Sequence, residues 1–312
     1  MGVFVTRRLP GSALDRLASE HEVEVWPEQL PPGSEELLSR APELDGLLSL
    51  LTDPVDAGLL DAARRLRAIS NYAVGVDNVD LDAATARGIP VGNTPGVLTD
   101  TTADLAVALM LGISRHLVEG DAYVRRGEWR TWETGFLLGH DLHGATVGIL
   151  GFGRIGQAVA RRLEGFGCEV LYSSRSGGAP LDELLERSDF VSIHSPLTPE
   201  TRGLIGDGAL ARMKPTAYLV NTARGPIVDS HALARALHEG RIAGAALDVT
   251  DPEPLPADHP LLEAPNLLVL PHLGSATHAT RERMADMAVD NLLAGLAGER
   301  MPHCANPEVY EA

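Results

Sequence analysis

Three side chains that could bind an anion and transfer a proton stand in separate segments of the C-terminal half: Arg224, Glu253 and His272. The guanidinium of Arg224 is a permanent cation that can hold a carboxylate and a carbonyl oxygen together. His272 can gain and lose a proton around neutral pH, and a carboxylate beside it would favour the protonated ring and orient it. Such a set suits the reduction of a 2-keto acid, which needs a clamp for the carboxylate, a hydride for the carbonyl carbon and a proton for its oxygen.

The surrounding segments place these residues at the ends of predicted strands. Apolar runs cover residues 190–194, 217–220, 245–248 and 267–270, and polar clusters lie at or just after their ends, at residues 194–196, 221–225, 248–253 and 271–275. Sites of open α/β sheets lie beyond the carboxyl ends of the strands, so we expect the four clusters to converge on a nicotinamide. Taken singly, Arg224 could cap a turn, Glu253 could be a solvated acid between two prolines, and His272 could be a hydrogen-bonded core histidine.

A glycine-rich turn predicts the source of the hydride. The apolar run at residues 146–150 is typical of a buried strand, and Gly151, Gly153 and Gly156 then form GxGxxG where a helix should begin. The first glycine permits the tight turn, the second lets the backbone approach a pyrophosphate, and the third lets the helix pack closely on the strand. The N-terminus of that helix would bind the anion. A second strand at residues 169–172 completes a dinucleotide-binding unit, although a glycine-rich surface turn would also match the spacing.

The end of that second strand indicates which dinucleotide is bound. An NAD site usually has an acidic residue there, which accepts hydrogen bonds from the ribose and would repel a 2′-phosphate. This chain has Ser173, Ser174 and Arg175 instead. Two hydroxyl groups and a guanidinium suit a 2′-phosphate, so we expect NADP(H) to be preferred, with NAD(H) possible. A polar solvated loop is the alternative.

Bulk properties exclude several classes of protein. A length of 312 residues suggests two domains, and 44% hydrophobic with 22% charged residues is ordinary for a soluble globular protein. A net charge of −17 argues against binding nucleic acid. Cys168 and Cys304 have neither metal-ligand spacing nor a disulfide framework, so we expect no metal and a cytoplasmic location. No apolar run reaches the roughly 20 residues that would span a membrane.

The first 98 residues alternate between strand and helix patterns. Candidate strands are 3–6, 23–26, 46–50, 68–71 and 90–92, and candidate helices are 12–20, 34–40, 56–64 and 80–87. This alternation predicts a parallel sheet with helices on both faces. Two strand-end loops, 50–53 and 72–77, lie where a ligand would bind. Gly75 would let backbone N–H groups approach an anion, although a single glycine equally suits a plain turn.

A domain boundary is predicted at residues 93–96, where Pro and Gly separate the alternating pattern from a long apolar helix that begins near Thr99. An amphipathic stretch with Trp129 and Trp132 follows that helix. Large aromatic side chains concentrate at interfaces, so this stretch suits an arm that packs on another subunit. A flap within the same chain explains it equally well, and Trp132 could enter the site of its own or of the partner subunit.

Over nearly its whole length the chain resembles the D-isomer-specific 2-hydroxyacid dehydrogenases. The resemblance lies in Gly151–Gly156, His194–Thr201, Asn221–Gly225, Asp248–Pro254 and Pro271–Ala276, and within the family the segments 247–256, 274–278 and 291–296 are most similar to glyoxylate/hydroxypyruvate reductases. It implies two doubly wound α/β domains, a Rossmann dinucleotide-binding domain inserted in a flavodoxin-like substrate domain. The expected division is 1–98 and 285–312 for the substrate domain and 99–284 for the dinucleotide domain. A homodimer, and NADPH as the common cofactor, are also implied.

The resemblance also assigns roles to individual residues. In the family the Arg, Glu and His of the last three motifs are catalytic, which corresponds to Arg224, Glu253 and His272. Asp248 would orient the nicotinamide amide. We expect the small 2-keto or 2-hydroxy acid to contact Leu50, Val74, Gly75, Trp132, Arg224 and Ser275. We expect the dinucleotide to contact Thr102, Gly151, Gly153, Arg154, Ile155, Gly156, Ser173, Ser174, Arg175, His194, Pro196, Thr222, Asp248, His272 and Gly274.

Other members of the family remain as alternatives. A formate dehydrogenase normally has Gln where Glu253 stands, and a phosphoglycerate dehydrogenase is less expected because no regulatory domain follows Ala312. The dinucleotide-sensing transcriptional corepressors share the catalytic set, so only the Ser174-Arg175 cofactor signal and the absence of long disordered flanks argue against them. The residues do not distinguish glyoxylate from hydroxypyruvate, because both present the same atoms to Arg224 and His272.

Overall fold

A computed structural model describes residues 2 to 311. Met1 and Ala312, the outer ends of the predicted domains, lie outside the described residues. The chain forms two compact units, Met1–Leu98 with Ala276–Ala312, and Thr99–Ser275. Our predicted return to the first unit at residue 285 falls inside the helix His278–Ala297, which belongs wholly to that unit. The structure therefore places the return earlier, at Ala276.

The strands and helices are numbered along the chain. The strands are β1 Gly2–Val5, β2 Glu22–Val25, β3 Gly46–Ser49, β4 Ala68–Asn71, β5 Val91–Gly92, β6 Thr146–Leu150, β7 Glu169–Ser174, β8 Gly177–Gly178, β9 Phe190–Ile193, β10 Tyr218–Asn221, β11 Gly244–Leu247 and β12 Leu267–Val269. The α-helices are α1 Ala13–Glu20, α2 Ser34–Arg40, α3 Ala57–Ala62, α4 Leu81–Ala86, α5 Thr99–Ser114, α6 Leu117–Arg125, α7 Arg154–Glu164, α8 Leu181–Arg187, α9 Asp207–Leu210, α10 Ser230–His238 and α11 His278–Ala297. Short 3-10 helices occur at Ala41–Glu43, Gly225–Ile227, Pro260–Glu263 and Pro307–Tyr310.

The first unit contains a five-stranded sheet in the order β2-β1-β3-β4-β5, in which every strand pair is parallel. This is the flavodoxin-like order, as the sequence predicted. Helix α11 covers one face of the sheet, with Met284, Ala288 and Leu292 buried in its core. Small residues allow this contact: a Cβ added at Gly295 would lie 2.7 Å from the Cβ of Ala68, so only glycine lets the helix approach β4 so closely.

The second unit contains a seven-stranded sheet in the order β12-β11-β10-β9-β6-β7-β8. All of its strand pairs are parallel except β7 with the two-residue β8. Read from β8, the order matches the doubly wound dinucleotide-binding fold, so the predicted Rossmann fold is confirmed. Helix α5 is buried along most of its length against the sheet and α7, in agreement with its nearly continuous apolar pattern.

Element ends differ from the sequence prediction in one place that affects the site. The second strand of the dinucleotide unit continues to Ser174, two residues beyond the predicted end at Tyr172. The two residues extend the strand because they pair with neighbouring strands: Ser173 pairs with Leu150 of β6 and Gly178 of β8, and Ser174 pairs with Gly177 of β8.

Among residues 2 to 311, no single helix is both long and apolar enough to cross a membrane. Helices α5 and α6 reach that length and apolar composition only when taken together, and the chain bends by 60° at their junction. Over the same residues, no group of three or more His, Cys, Asp or Glu side chains is placed to hold a metal ion. Cys168 and Cys304 are free thiols.

Candidate active site

The glycine-rich turn connects β6 to α7, and its three glycines differ in what surrounds them. Gly151 has φ of 94°, and a Cβ there would lie 2.6 Å from the backbone N of Ser195. A Cβ at Gly156 would overlap the carbonyl oxygen of Gly151, so this glycine lets the helix pack on the strand. Around Gly153 no atom lies within 4 Å of an added Cβ, and packing does not require glycine there. Close approach of a ligand is the remaining reason for it. Arg154 and Ile155 then begin the helix, with Arg154 exposed.

The β7–β8 hairpin contains the residues that are predicted to contact the adenosine ribose of the cofactor. The Ser174 hydroxyl donates to the carbonyl of Gly177 at 3.0 Å and lies 3.0 Å from the Ser176 hydroxyl, so its proton is used within the turn. Arg175 is exposed at the tip. The pKa of Glu200 is lowered first by a hydrogen bond from Thr198 and, in addition, by the positive charge of Arg175. Of the three predicted residues, Ser173 pairs within the sheet, the Ser174 hydroxyl stabilises the hairpin, and the Arg175 side chain is exposed.

The end of β9 is joined to the end of β10 through His194. Its Nε2 lies 2.8 Å from the Ser192 hydroxyl and its Nδ1 lies 3.4 Å from the Thr222 hydroxyl. Burial of the ring lowers the pKa of His194 to about 4, so the imidazole is neutral at physiological pH. His194 thus fixes Thr222 and the loop that follows it. Pro196, at the exposed start of the next loop, accepts a hydrogen bond from the Thr201 hydroxyl through its carbonyl.

Arg224 follows β10 on a loop that its own strand holds in shape. The side chain of Asn221 donates to the carbonyl of Arg224 at 2.9 Å and accepts from the N–H of Ala223 at 3.0 Å. A Cβ at Gly225 would overlap the carbonyl of Thr250, which brings the Arg224 loop directly against the loop that carries Glu253. The sequence did not reveal this packing, because a single glycine after an arginine has no distinctive pattern.

His272 and Glu253 form the predicted pair: Nδ1 of the ring lies 2.6 Å from Oε1 of the carboxylate. The side chain of His272 keeps 25% of its surface exposed, so the ring can be reached from solvent. Its φ of 56° is unusual for a residue other than glycine, and such strain is often retained at functional sites. The second oxygen, Oε2, accepts a hydrogen bond from the N–H of Thr250 at 3.4 Å, which orients the carboxylate.

Asp248 holds the His272 loop. Its Oδ1 accepts from the N–H of Leu273 at 2.6 Å and its Oδ2 from the N–H of Gly274 at 2.8 Å, while the His272 N–H donates to the Asp248 carbonyl at 2.9 Å. Burial raises the pKa of Asp248, and the two N–H bonds oppose that rise. The sequence prediction gave this residue only a contact with the cofactor, whereas in the structure it fixes the position of the histidine. Thr102 adds a hydrogen bond to the Gly274 carbonyl at 3.0 Å, and Ser275 follows, half-buried.

In the first unit the residues expected to contact the substrate lie at the carboxyl end of the sheet. Leu50 directly follows β3, and Val74 and Gly75 lie in the loop after β4, all three half-buried. Asn78 joins the two loops, because its side-chain amide donates to the carbonyls of Leu50 and Asp53, each at 2.9 Å. Asn78 cannot be recognised from the sequence alone, since an asparagine in a loop is common.

The segment after α5 exposes apolar side chains. Trp132 has 78% of its surface exposed, the highest value among these side chains, and the others are Leu117, Val118, Val124, Trp129, Phe136, Leu137 and Leu138. We call residues 117–138 the arm. A row of exposed apolar residues of this size is typical of a surface that another protein covers. Within the chain, Trp132 therefore lies on the surface of its own unit.

Comparison with known proteins decides the family. The family model described as "D-isomer specific 2-hydroxyacid dehydrogenase, NAD binding domain" matches residues 107–274. The chain belongs to the D-isomer-specific 2-hydroxyacid dehydrogenases. It is similar to a glyoxylate reductase of Korarchaeum cryptofilum, with 50% identity over 99% of this chain and 97% of the relative.

Solved structures that are similar to this chain have the same fold. A protein of Thermus thermophilus superposes with a TM-score of 0.94 at 51% identity, covering 98% of this chain and 100% of that one. An NADPH-dependent glyoxylate/hydroxypyruvate reductase of Sinorhizobium meliloti, crystallised with NADP and malonate, gives a TM-score of 0.85 at 34% identity, covering 98% and 97% of the two chains. The family and the two α/β domains predicted from the sequence are thus confirmed.

Proposed function

We propose that this dehydrogenase reduces a small 2-keto acid, such as glyoxylate or hydroxypyruvate, to the D-2-hydroxy acid, with NADPH preferred. The observation that carries the proposal is the hydrogen bond of 2.6 Å between His272 and Glu253. The loop of Glu253 packs against the loop of Arg224. Relatives named glyoxylate reductase at about half identity over nearly the whole chain support the choice of substrate.

The His272–Glu253 pair defines where the proton is held. An ionised carboxylate only accepts hydrogen bonds, so Nδ1 of His272 carries the hydrogen that points to Glu253. The second ring nitrogen, Nε2, then carries the transferable proton when the ring is charged, and this atom would donate to the carbonyl oxygen. Asp248 keeps the loop, and therefore the ring, in one position through the N–H groups of Leu273 and Gly274.

Arg224 would bind the other end of the substrate. Its guanidinium can pair with the carboxylate in a fork and contact the carbonyl oxygen, so that the carbonyl carbon is held in a fixed orientation. In the first unit, the backbone N–H groups of Val74 and Gly75 are proposed to bind a substrate carboxylate, and Leu50 is a further candidate substrate contact. Trp132 and Ser275 remain candidate substrate contacts.

The glycine-rich turn fits a dinucleotide. The space around Gly153 and the N-terminus of α7 would take the pyrophosphate, and Arg175 would pair with a 2′-phosphate. Thr222, Pro196 and Thr102 are further candidate contacts. When bound, the nicotinamide would supply the hydride. We also propose that two copies of the chain pair through the arm, which would cover its exposed tryptophans.

The test is the rate of NADPH oxidation by the purified protein with glyoxylate, hydroxypyruvate and pyruvate. His272→Ala should lower kcat about 10² or more while leaving the NADPH affinity nearly unchanged. His143→Ala is the matched control, because the ring of His143 only bonds the Phe166 carbonyl on the surface, and it should behave as wild type. Loss of NADPH binding with normal turnover in His272→Ala would reject the assigned role.

A further inference from the structure

The loop that follows β4 turns three successive carbonyl groups toward the protein. The carbonyl of residue 73 accepts from the N–H of Thr94 at 2.9 Å, that of residue 74 from the side-chain amide of Asn93 at 2.8 Å, and that of residue 75 from the side-chain amide of Asn71 at 3.0 Å. Two of the three donors are asparagine side chains. The orientation of these peptides therefore depends on the residue types at positions 71 and 93 as well as on the course of the backbone.

The orientation of the carbonyls determines where the N–H groups point. These peptide bonds are trans, since the cis bonds of the described residues lie elsewhere, at Asp251-Pro252 and Glu253-Pro254. In a planar trans peptide the N–H points opposite to the C=O. The N–H groups of residues 74–76 therefore point away from the donors that hold the three carbonyls, and within residues 2 to 311 no backbone carbonyl accepts a hydrogen bond from them. Successive backbone N–H groups that face away from the protein can form an anion-binding concavity.

Asn71 also belongs to a hydrogen-bond network that includes the neighbouring loop. The amide of Asn71 donates to the side-chain oxygen of Asn78 at 3.0 Å, and the Ser49 hydroxyl donates to the side-chain oxygen of Asn71 at 3.1 Å. Asn78 in turn holds the Leu50 and Asp53 carbonyls. The loop after β3 and the loop after β4 are thereby held together by side-chain amides.

We propose that Asn93 and Asn71 are positioning residues for substrate binding: they orient the peptides of residues 73–75 so that the N–H groups of residues 74–76 receive the carboxylate of the 2-keto acid. This inference rests on the proposed function. It adds that affinity for the acid depends on two asparagines that do not themselves touch it.

Asn93 offers the sharper test, because its side chain makes one hydrogen bond here, to the Val74 carbonyl, and is only half-buried. Asn93→Ala frees that peptide to rotate, so KM for glyoxylate should rise about 5- to 10-fold, the range for one hydrogen bond. A carboxylate bound equally in ground and transition states affects KM and not kcat. Asn93→Asp should raise KM further, since its carboxylate cannot donate to the carbonyl and repels the anionic substrate. The inhibition constant of oxalate, a non-reducible dicarboxylate, should rise in parallel, while kcat and the NADPH KM stay within about twofold of wild type.

Asn306→Ala is the matched control at the other end of β5. The amide of Asn306 donates to the Ile89 carbonyl at 3.0 Å and its oxygen accepts from the Val91 N–H at 2.8 Å, so this variant should lose thermal stability without a change in KM. An unchanged glyoxylate KM in Asn93→Ala, or an equal rise in the control, would overturn the positioning role alone. A wild-type protein that turns over no 2-keto acid would overturn the proposed function, and this inference with it.

Discussion

Two glycines of the same turn, Gly151 and Gly153, should respond in opposite ways to one added methyl group. At Gly151, alanine would need a φ of 94° and would place its Cβ 2.6 Å from the Ser195 nitrogen and 2.7 Å from the His194 carbonyl carbon. Backbone strain of this kind costs about 1–3 kcal/mol, and overpacking against atoms that cannot move costs a similar amount. Gly151→Ala should therefore destabilise the protein without cofactor by about 2–4 kcal/mol.

Gly153→Ala should leave the same protein intact. The φ at Gly153 is −77° and no atom lies within 4 Å of the new methyl group, so neither strain nor overlap arises. The methyl group would instead occupy the space that the pyrophosphate needs, and the dissociation constant of NADPH should rise at least about tenfold, the equivalent of about 1.4 kcal/mol.

Thermal melts without cofactor and NADPH fluorescence titrations separate the two effects. At about 2–4 °C for each kcal/mol in a domain of this size, the melting temperature of Gly151→Ala should fall by about 5 °C or more. That of Gly153→Ala should stay within about 2 °C of wild type. Equal losses of stability in the two variants, or wild-type NADPH affinity in Gly153→Ala, would refute this account of the turn.

Three further perturbations test other parts of the site. The pKa of His194 is about 6.5 in the unfolded chain and about 4 in the folded protein, so the unfolded chain binds a proton first as the pH drops. The free energy of unfolding of the wild type should therefore decrease by up to about 3 kcal/mol between pH 6.5 and pH 4. In urea unfolding, the free energy of unfolding of His194→Gln should change less with pH over this range than that of the wild type. An equal pH dependence of the two proteins would contradict the prediction. Arg175→Gln should raise the NADPH KM about 10- to 100-fold with kcat and NADH use unchanged, and an unaltered NADPH-to-NADH ratio would show that this side chain does not meet the phosphate. Asp248→Asn replaces one carboxylate oxygen with an NH₂ group, which cannot accept from the N–H of Leu273 or Gly274, so kcat for glyoxylate should fall about tenfold or more. Wild-type turnover in this variant would mean that the His272 loop does not depend on the Asp248 carboxylate.

Parts of the molecule with a local pattern could be predicted from the sequence. The strands and the glycine-rich turn have strong periodicity and spacing, which indicated both sheets and their parallel direction. The proximity of His272 to Glu253 also followed, because both residues come after neighbouring parallel strands, and the carboxyl ends of such strands meet at one edge.

Features that depend on distant partners could not be predicted in this way. The strand β8 consists of Gly177 and Gly178, which have no apolar pattern, and it forms only because it pairs with β7. Asp248 accepts hydrogen bonds from backbone groups of Leu273 and Gly274, and no residue type marks a backbone donor in a sequence.

The most direct test of the central claim compares an acid with a neutral carbonyl compound in NADPH-dependent reduction. If Arg224 pairs with the substrate carboxylate while His272 protonates the carbonyl oxygen, kcat/KM for glyoxylate should exceed that for a simple aldehyde by about 10² or more, because the neutral compound offers the guanidinium no carboxylate to pair with. Comparable kcat/KM values for the two compounds would contradict the account.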